Sequence, residues 1–379
     1  MSNASTALVD GKSPPSSVTD PKPSISTPPT TGSGRSALSR LGQWSPRPYL
    51  WPAYRRLLQR SKRPILVGPY HGEVGFEALY WLPWLERLRH DLDLDPARLI
   101  PISRGGAAFW YGTPKGMELF AMRTPQEVRV ENWRQFQQTG FMKQATMTPF
   151  DRAILKDAAQ TLGLTRYLTL HPAWMYTTLT PYWSGHEGYQ WLFDRCRYQP
   201  WSAPDLKGVT LPAHYVAVRF YFRATFPFNS QCVNFAKATI RHLAKSHHVI
   251  VVNSGLHVDD HLDYVPKDRE NVTVLSEVVP MTPQNNLAIQ SAIVAKADAF
   301  VGTYGGMAQL ALRFGRPVTA FYEDWHSTAV AHRQISEQLA LGMGVPFQVL
   351  RLADLPLLQQ VCPQVQFTTT SSGGAAPVV

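Results

Sequence analysis

Three short stretches carry residue types that chemistry could use, and each follows an apolar run. The first is Gly68-Pro-Tyr-His-Gly-Glu-Val-Gly-Phe-Glu77, between a predicted strand and a predicted helix. His71, Glu73 and Glu77 supply ionisable groups there, as a general base for sugar or phosphate chemistry requires. Gly72 and Gly75 would let the backbone approach a ligand, and a helix start offers free N–H groups. The same residues also suit a plain capping turn, in which Glu73 only favours the helix dipole. The spacing is neither G-x-G-x-x-G nor a P-loop, so it predicts no dinucleotide or Walker-type site. The second stretch is Val218-Arg-Phe-Tyr-Phe-Arg223. Arg219 and Arg223 lie where a strand ends and could present a fork to a phosphate, or form a surface ion pair. The third is Val301-Gly-Thr-Tyr-Gly-Gly-Met-Ala-Gln-Leu-Ala311. Thr303, Tyr304, Gly305 and Gly306 set a hydroxyl and backbone N–H groups at a helix N-terminus, a ready anion site. A tight turn using glycine for its dihedrals alone is the plainer alternative.

Weaker candidates accompany these. Asn253 and Ser254 close an apolar strand and could touch a base or ribose. His171, Trp174 and Tyr176 follow another strand; aromatic faces suit sugars, so they could line an acceptor pocket, although a core histidine fits as well. Asp91, Asp93 and Asp95 have D-x-D spacing, and His257 to His261 holds metal-type residues. Both suit solvated polar loops, and no metal is expected. No G-x-S-x-G elbow occurs, and no cysteine sits in a recognisable nucleophile motif.

The elements that position these residues alternate strand and helix. Strands are predicted at 64–68, 99–103 and 167–170, with helices at 72–89 and across 130–163, broken near Thr148-Pro149. A second series follows, with strands at 214–220, 248–253, 272–275, 299–302 and 317–322. Helices at 229–246, 283–296, 307–314 and 328–341 separate them. Repeated β-α-β with short connections predicts doubly wound parallel sheets, two of them, with a cleft between. No solenoid repeat is present.

Composition narrows the class further. The 379 residues are 44% hydrophobic and 17% charged, which excludes a wholly disordered chain. With only three cysteines, Cys196, Cys232 and Cys362, a disulfide scaffold is excluded, and because they form no C-x-x-C pair no structural zinc site is expected. No apolar run approaches the roughly 20 residues that span a bilayer. With no charged-then-apolar leader, a cytoplasmic location is expected. The net charge of +10 is local: residues 35–63 hold eight basic residues and no acid, while residues 64–379 carry only +2. A nucleic-acid partner is therefore not expected. Residues 1–36, dominated by Ser, Thr, Pro and Gly, read as a disordered tail. In 37–63, Tyr54, Leu57 and Leu58 have helical spacing among arginines. That segment reads as an amphipathic helix packed on the first domain, or as an arm on an anionic membrane surface. The expected organisation is a tail at 1–36, a basic aromatic arm at 37–63, a first Rossmann-like domain at 64–205, a second at 206–360 and a tail at 361–379.

Together the motifs resemble glycosyltransferases of the two-Rossmann, or GT-B, type. The Gly-Glu-Val-Gly turn and the following Leu82-Pro83-Trp84-Leu85 resemble the opening of the lipopolysaccharide heptosyltransferase family. There a Gly-Asp turn supplies the residue held to be the catalytic base, and Glu73 takes that place here. Ala297-Asp-Ala-Phe-Val-Gly-Thr-Tyr-Gly-Gly-Met and Phe314-Gly-Arg-Pro-Val resemble the donor-side motif of the same family and the C-terminal motif of GDP-fucose-type transferases. In the latter an arginine after a strand grips the donor diphosphate, as Arg219 would. The resemblance implies transfer of a sugar from a nucleotide-sugar donor to a glycan or lipid-linked acceptor, in cell-surface polysaccharide synthesis. It implies no cofactor and no metal, the nucleotide sugar being a co-substrate; if the acceptor is lipid-linked, the basic segment 35–63 would keep this cytoplasmic enzyme at the inner membrane face. Glu73 or His71 would act as base. Arg219, Arg223, Asn253, Ser254 and Thr303 to Gly306 would bind donor; His171, Trp174 and Tyr176 would bind acceptor. A nucleotide-sugar epimerase on this scaffold, or a non-catalytic nucleotide-binding module, is the alternative.

Overall fold

A computed structural model of the chain describes residues 45–139, 144–204, 209–258, 261–324 and 327–361. The tails expected at 1–36 and beyond 361, and the start of the arm, lie outside them. Two parallel sheets carry the fold. In the first, β1 (Ile65–Val67), β2 (Leu99–Ser103), β3 (Met117–Glu118) and β4 (Leu168–Leu170) lie in the order β3-β2-β1-β4. The second half supplies β5 (Val216–Arg219), β6 (Tyr221–Phe222), β7 (Val249–Val251), β8 (Leu262–Asp263), β9 (Val272–Val274), β10 (Ala299–Thr303), β11 (Val318–Tyr322) and β12 (Phe347–Arg351). Six of these form a sheet in the order β12-β11-β10-β5-β7-β9, every neighbour parallel. Taken in chain order within that sheet, this is the doubly wound 3-2-1-4-5-6 arrangement. β6 and β8 pair separately and antiparallel. The chain is mixed α/β with parallel sheets, as its alternation of elements predicts.

Local chemistry explains the elements. β7 and the Val216–Val218 part of β5 are continuous β-branched or small apolar residues, buried throughout, as a sheet covered on both faces requires. The helix Pro149–Thr161 opens on a capping box: the Thr148 side chain accepts from the Asp151 N–H, and the Asp151 carboxylate accepts from the Thr148 N–H. The helix Ser230–Ala244 opens on Asn229, whose side chain accepts from the Cys232 N–H. The helix predicted at 72–89 is in three pieces, Val74–Phe76, one π turn at Glu77–Trp81 and Leu82–Asp91.

Elements without a local signal were not predicted. β3 and the β6–β8 pair are two residues per strand, too short for a period of two to register. The helix Pro172–Trp183 is apolar nearly all round, so it shows no amphipathic stripe.

The arm contains a helix, Trp51–Arg60, that covers the exposed edge of β4. The Tyr54 hydroxyl donates to the Thr169 carbonyl and accepts from the Thr169 N–H at 3.2 Å. One side chain thus satisfies an edge that would otherwise invite another strand. Trp51 stacks on Trp84 with ring centroids 5.4 Å apart, and Tyr54 stacks on Trp174 at 5.2 Å. Leu58 is fully buried, whereas Leu57, expected beside it on the packed face, is 45% exposed. No helix among the described residues is long and apolar enough to cross a membrane.

The β5–β10 pairing depends on Gly302. A Cβ there would fall on the Arg219 carbonyl oxygen of the neighbouring strand. Gly302→Ala is therefore expected to cost on the order of 1–3 kcal/mol, as overpacking does, measured by denaturant melting.

Candidate functional site

Both sheets have a point where strand order reverses, between β1 and β4 and between β5 and β10. Ligands of open α/β sheets gather beyond the carboxyl ends of strands at such points. The turn Gly68–Glu77 leaves β1, and the turn Thr303–Gly306 leaves β10. The structure brings these two turns together. A Cβ on Gly306 would lie 3.0 Å from the Gly75 nitrogen and 3.2 Å from the Val74 Cβ. A Cβ on Gly75 would overlap the Gln309 side-chain oxygen. The close approach expected of Gly75 toward a ligand is, in this structure, an approach to the other half. Glu73 is exposed at this junction, and Gly72, Val74, Gly305 and Gly306 are half-buried around it.

The ionisable groups of the first turn separate sharply. His71 points inward and is 3% exposed. Its Nδ1 faces the Asn132 side-chain oxygen at 2.7 Å and its Nε2 faces Asp151 at 2.9 Å. Its backbone N–H donates to Gln144 at 3.0 Å. With both ring nitrogens engaged and buried, His71 has no reach to a hydroxyl at the rim, which corrects its expected role as a base. Asp151 also lies 3.4 Å from His171 Nε2. His171 Nδ1 accepts from the Ala173 N–H at 3.1 Å, so Nε2 carries the proton and points at the carboxylate. Burial alone would raise the Asp151 carboxyl, but His171 and His71 outweigh it and hold the carboxyl far below its usual range.

Glu77 lies beneath the turn, fully buried, 2.9 Å from Arg104 and 2.7 Å from the Tyr111 hydroxyl. Burial pushes its carboxyl up, opposed by Arg104 and Tyr111. Arg104 also donates to the Gly72 carbonyl at 2.6 Å, so the ion pair braces the turn from behind. Of the three groups, Glu73 is the one that faces solvent. Its carbonyl accepts from the Tyr70 hydroxyl at 3.1 Å.

On the second half, the helix Gly306–Arg313 starts at Gly305 without a side-chain cap. A Cβ on Gly305 would overlap the Tyr221 hydroxyl, which sits over this helix start. Thr303 is buried, and its hydroxyl accepts from the Tyr221 N–H and donates to the Tyr221 carbonyl, both at 3.1 Å. Tyr304 is buried, its hydroxyl raised by that burial. The side chains of Thr303 and Tyr304 thus serve the turn, and the backbone of Gly305 and Gly306 is what reaches the rim.

Arg219 also departs from expectation. Its fork is bidentate to Asp263 at 3.0 and 3.2 Å, with a third contact to Gln290 at 3.1 Å, and it is 7% exposed. It ties the strand end to the β6–β8 pair rather than facing an open surface. Arg223, half-buried, lies where its backbone bridges Phe226. Asn253 accepts from the Ser276 hydroxyl at 3.2 Å, and the Ser254 hydroxyl accepts from the Leu256 N–H at 3.2 Å, so both shape the loop after β7.

The three residues expected to bind acceptor go to three places. His171 joins Asp151 in the interior. Trp174 joins Trp51 and Tyr54 under the arm helix. Tyr176 packs between Phe76 at 6.4 Å and Trp183 at 5.1 Å. Phe76 follows the rim residues, and its ring meets His332 edge-on at 4.6 Å. Tyr80 hydrogen-bonds His332 at 2.6 Å. Tyr176 therefore belongs to an aromatic cluster where the halves meet, and His171 and Trp174 do not.

Asp91 pairs with Arg87 at 2.8 Å, and Asp95 accepts from the Ala97 N–H at 2.9 Å. Among the described residues no group of three His, Cys, Asp or Glu is arranged to hold a metal ion. Asp259 and Asp260 of the 257–261 stretch lie outside them.

Tyr221, His261 and His332 are additions to the expected set. Tyr221 sits inside the Arg219–Arg223 motif, and the His261 ring stacks on it at 4.3 Å. His332 had no sequence signal beyond a place on a predicted helix.

No protein-family model matches the sequence, and no curated protein is significantly similar to it. Among solved structures, a family 9 glycosyl transferase from Veillonella parvula aligns at 12% identity over 81% of this chain and 91% of its own, with a TM-score of 0.41. The E. coli heptosyltransferase WaaC with ADP aligns at 13% identity over 74% of this chain and 98% of its own, TM-score 0.36. The glycosyltransferase SnogD from Streptomyces nogalater aligns at 13% identity over 80% and 92%, TM-score 0.30. All three are distant likenesses.

Proposed function

We propose that this chain is a glycosyltransferase of the GT-B type, using a nucleotide-sugar donor and a glycan or lipid-linked acceptor. One observation carries the reading: two strand-order switch points face each other, with an exposed carboxylate, Glu73, on one rim and an uncapped helix start, Gly306, on the other. The motif resemblance to heptosyltransferases and GDP-fucose-type transferases supports it from the sequence side.

The donor diphosphate lies against the N–H groups at the start of Gly306–Arg313, where the helix dipole favours negative charge. Arg223 stands at the same end of the sheet as a second positive group, and Arg219 keeps the neighbouring strand end in place through Asp263. The nucleoside extends toward the loop of Asn253 and Ser254. The acceptor enters over Tyr176 and Phe76. Its hydroxyl oxygen attacks the anomeric carbon, the bond from that carbon to the diphosphate oxygen breaks, and Glu73 takes the hydroxyl proton. Fixed N–H groups and arginine meet the charge on the departing diphosphate, so this reading requires no metal.

A thermal-shift panel of nucleoside diphosphates and nucleotide sugars tests the donor assignment. A ligand at about 100 times its Kd adds about 2.7 kcal/mol of stability, so at least one member should raise the melting temperature by several degrees. No shift from any member overturns the reading. Turnover of a nucleotide sugar with no acceptor present would replace it with an epimerase.

A further inference from the structure

The helix Trp51–Arg60 holds the edge strand with one face and turns another outward. On that outer side Tyr49 is 67% exposed, Leu50 44% and Leu57 45%. A groove of about 650 Å³ runs between the helix and the body, lined by Leu50, Ala53, Tyr54, Leu57, Met147 and Trp174. Arg152 stands in its wall. The charge that this segment itself contributes around the apolar strip has one sign. Residues 45–63 contain no acid. Arg47, Arg56, Arg60 and Lys62 are exposed and make no ion pair among the described residues. Arg55 is neutralised by Asp91, 3.6 Å away.

We propose that this face docks on an anionic bilayer surface, Leu50 and Leu57 entering the acyl boundary and the groove taking one acyl chain. Scattered surface leucines need no explanation, but an apolar strip continuous with an apolar groove and rimmed by cations does. A short helix with an apolar face and a Lys/Arg border is the form that lies in a membrane interface. Charge argues against other occupants. A second copy would bring the same positive face against itself in a two-fold contact. The preceding residues 35–44 carry Arg35 and Arg40 and no acid, so they offer no complement either. The proposal stands apart from the transferase reading, since it needs no turnover.

Deleting residues 1–63 would strip the cover from β4, so point variants of the full chain are the test. Sedimentation with phosphatidylserine–phosphatidylcholine vesicles should carry the wild-type protein down, and vesicles of phosphatidylcholine alone should not. Added salt should release it. Arg56→Glu with Arg60→Glu should weaken binding at least about tenfold, because each basic side chain near an anionic surface contributes roughly fivefold. Leu50→Asp with Leu57→Asp should abolish it at an unchanged melting temperature. The proposal is overturned if the wild type stays in the supernatant with anionic vesicles, or if either variant binds like the wild type. It is equally overturned if the leucine variant changes the oligomeric state without vesicles, since a second copy would then cover the face.

Discussion

Asp151→Asn should lower stability by about 3–5 kcal/mol, seen as a melting temperature roughly 5–10 °C lower. The expectation follows from what the carboxylate holds. His71 presents both ring nitrogens to acceptors, Asn132 on one side and Asp151 on the other. The Asn132 amide is oriented by donating to the His71 carbonyl at 3.1 Å, so its oxygen faces the ring. Both ring nitrogens of His71 are therefore engaged, and Asp151 is the carboxylate that one of them meets. Neither side chain is exposed. Removing one partner of a buried ionisable pair leaves the other buried without its counterpart, which costs far more than the pair's net worth. The same carboxylate accepts from the Thr148 N–H at 2.8 Å, so the helix start at Pro149 is weakened as well. The pH dependence has a definite sign. Asp151 is held below its unfolded value, so its contribution is complete above about pH 4 and is lost as pH falls further, through the folded value. The gap between wild type and variant should therefore narrow as pH falls below about 4.

Glu73→Gln should reduce sugar transfer by about 10²- to 10⁴-fold with little change in stability. Glutamine keeps the shape and loses the ability to take a proton. Glu73 is exposed, and its backbone carbonyl, which accepts from the Tyr70 hydroxyl and the Glu77 N–H, is kept in the variant. Donor binding should persist, because the proposed diphosphate site is on the opposite rim. His71→Ala gives the contrast. Its first effect should be on folding, through Asp151, and only then on activity. Measuring melting and turnover on both variants separates a proton acceptor from a buried brace.

The parts of this architecture that local chemistry controls are legible in the sequence. Continuous apolar strands such as Val249–Val251 announce a parallel sheet because they are buried on both faces. Gly-rich turns directly after β1 and β10 mark the switch points, since glycine is needed where one backbone passes close to another. What escapes is pairing at long range. His71 looks like a free base until Asp151, 80 residues away, is brought to it. Arg219 looks like a phosphate fork until Asp263, 44 residues on, occupies it. Trp174 and Tyr176 are two residues apart on one helix, yet they point to different places, one beneath the arm and one toward the junction of the halves. Spacing along a chain defines a face, and only packing decides what that face meets.

The most direct measurement is transfer itself: a panel of nucleotide sugars incubated with glycan and lipid-linked acceptors, with released nucleoside diphosphate and labelled acceptor quantified by mass spectrometry. One donor should be consumed only when acceptor is present, releasing one nucleoside diphosphate per sugar transferred, and the Glu73→Gln protein should be nearly inactive. If the wild-type protein consumes no donor, or if Glu73→Gln transfers sugar at the wild-type rate, the junction of the two turns is not the catalytic site described here.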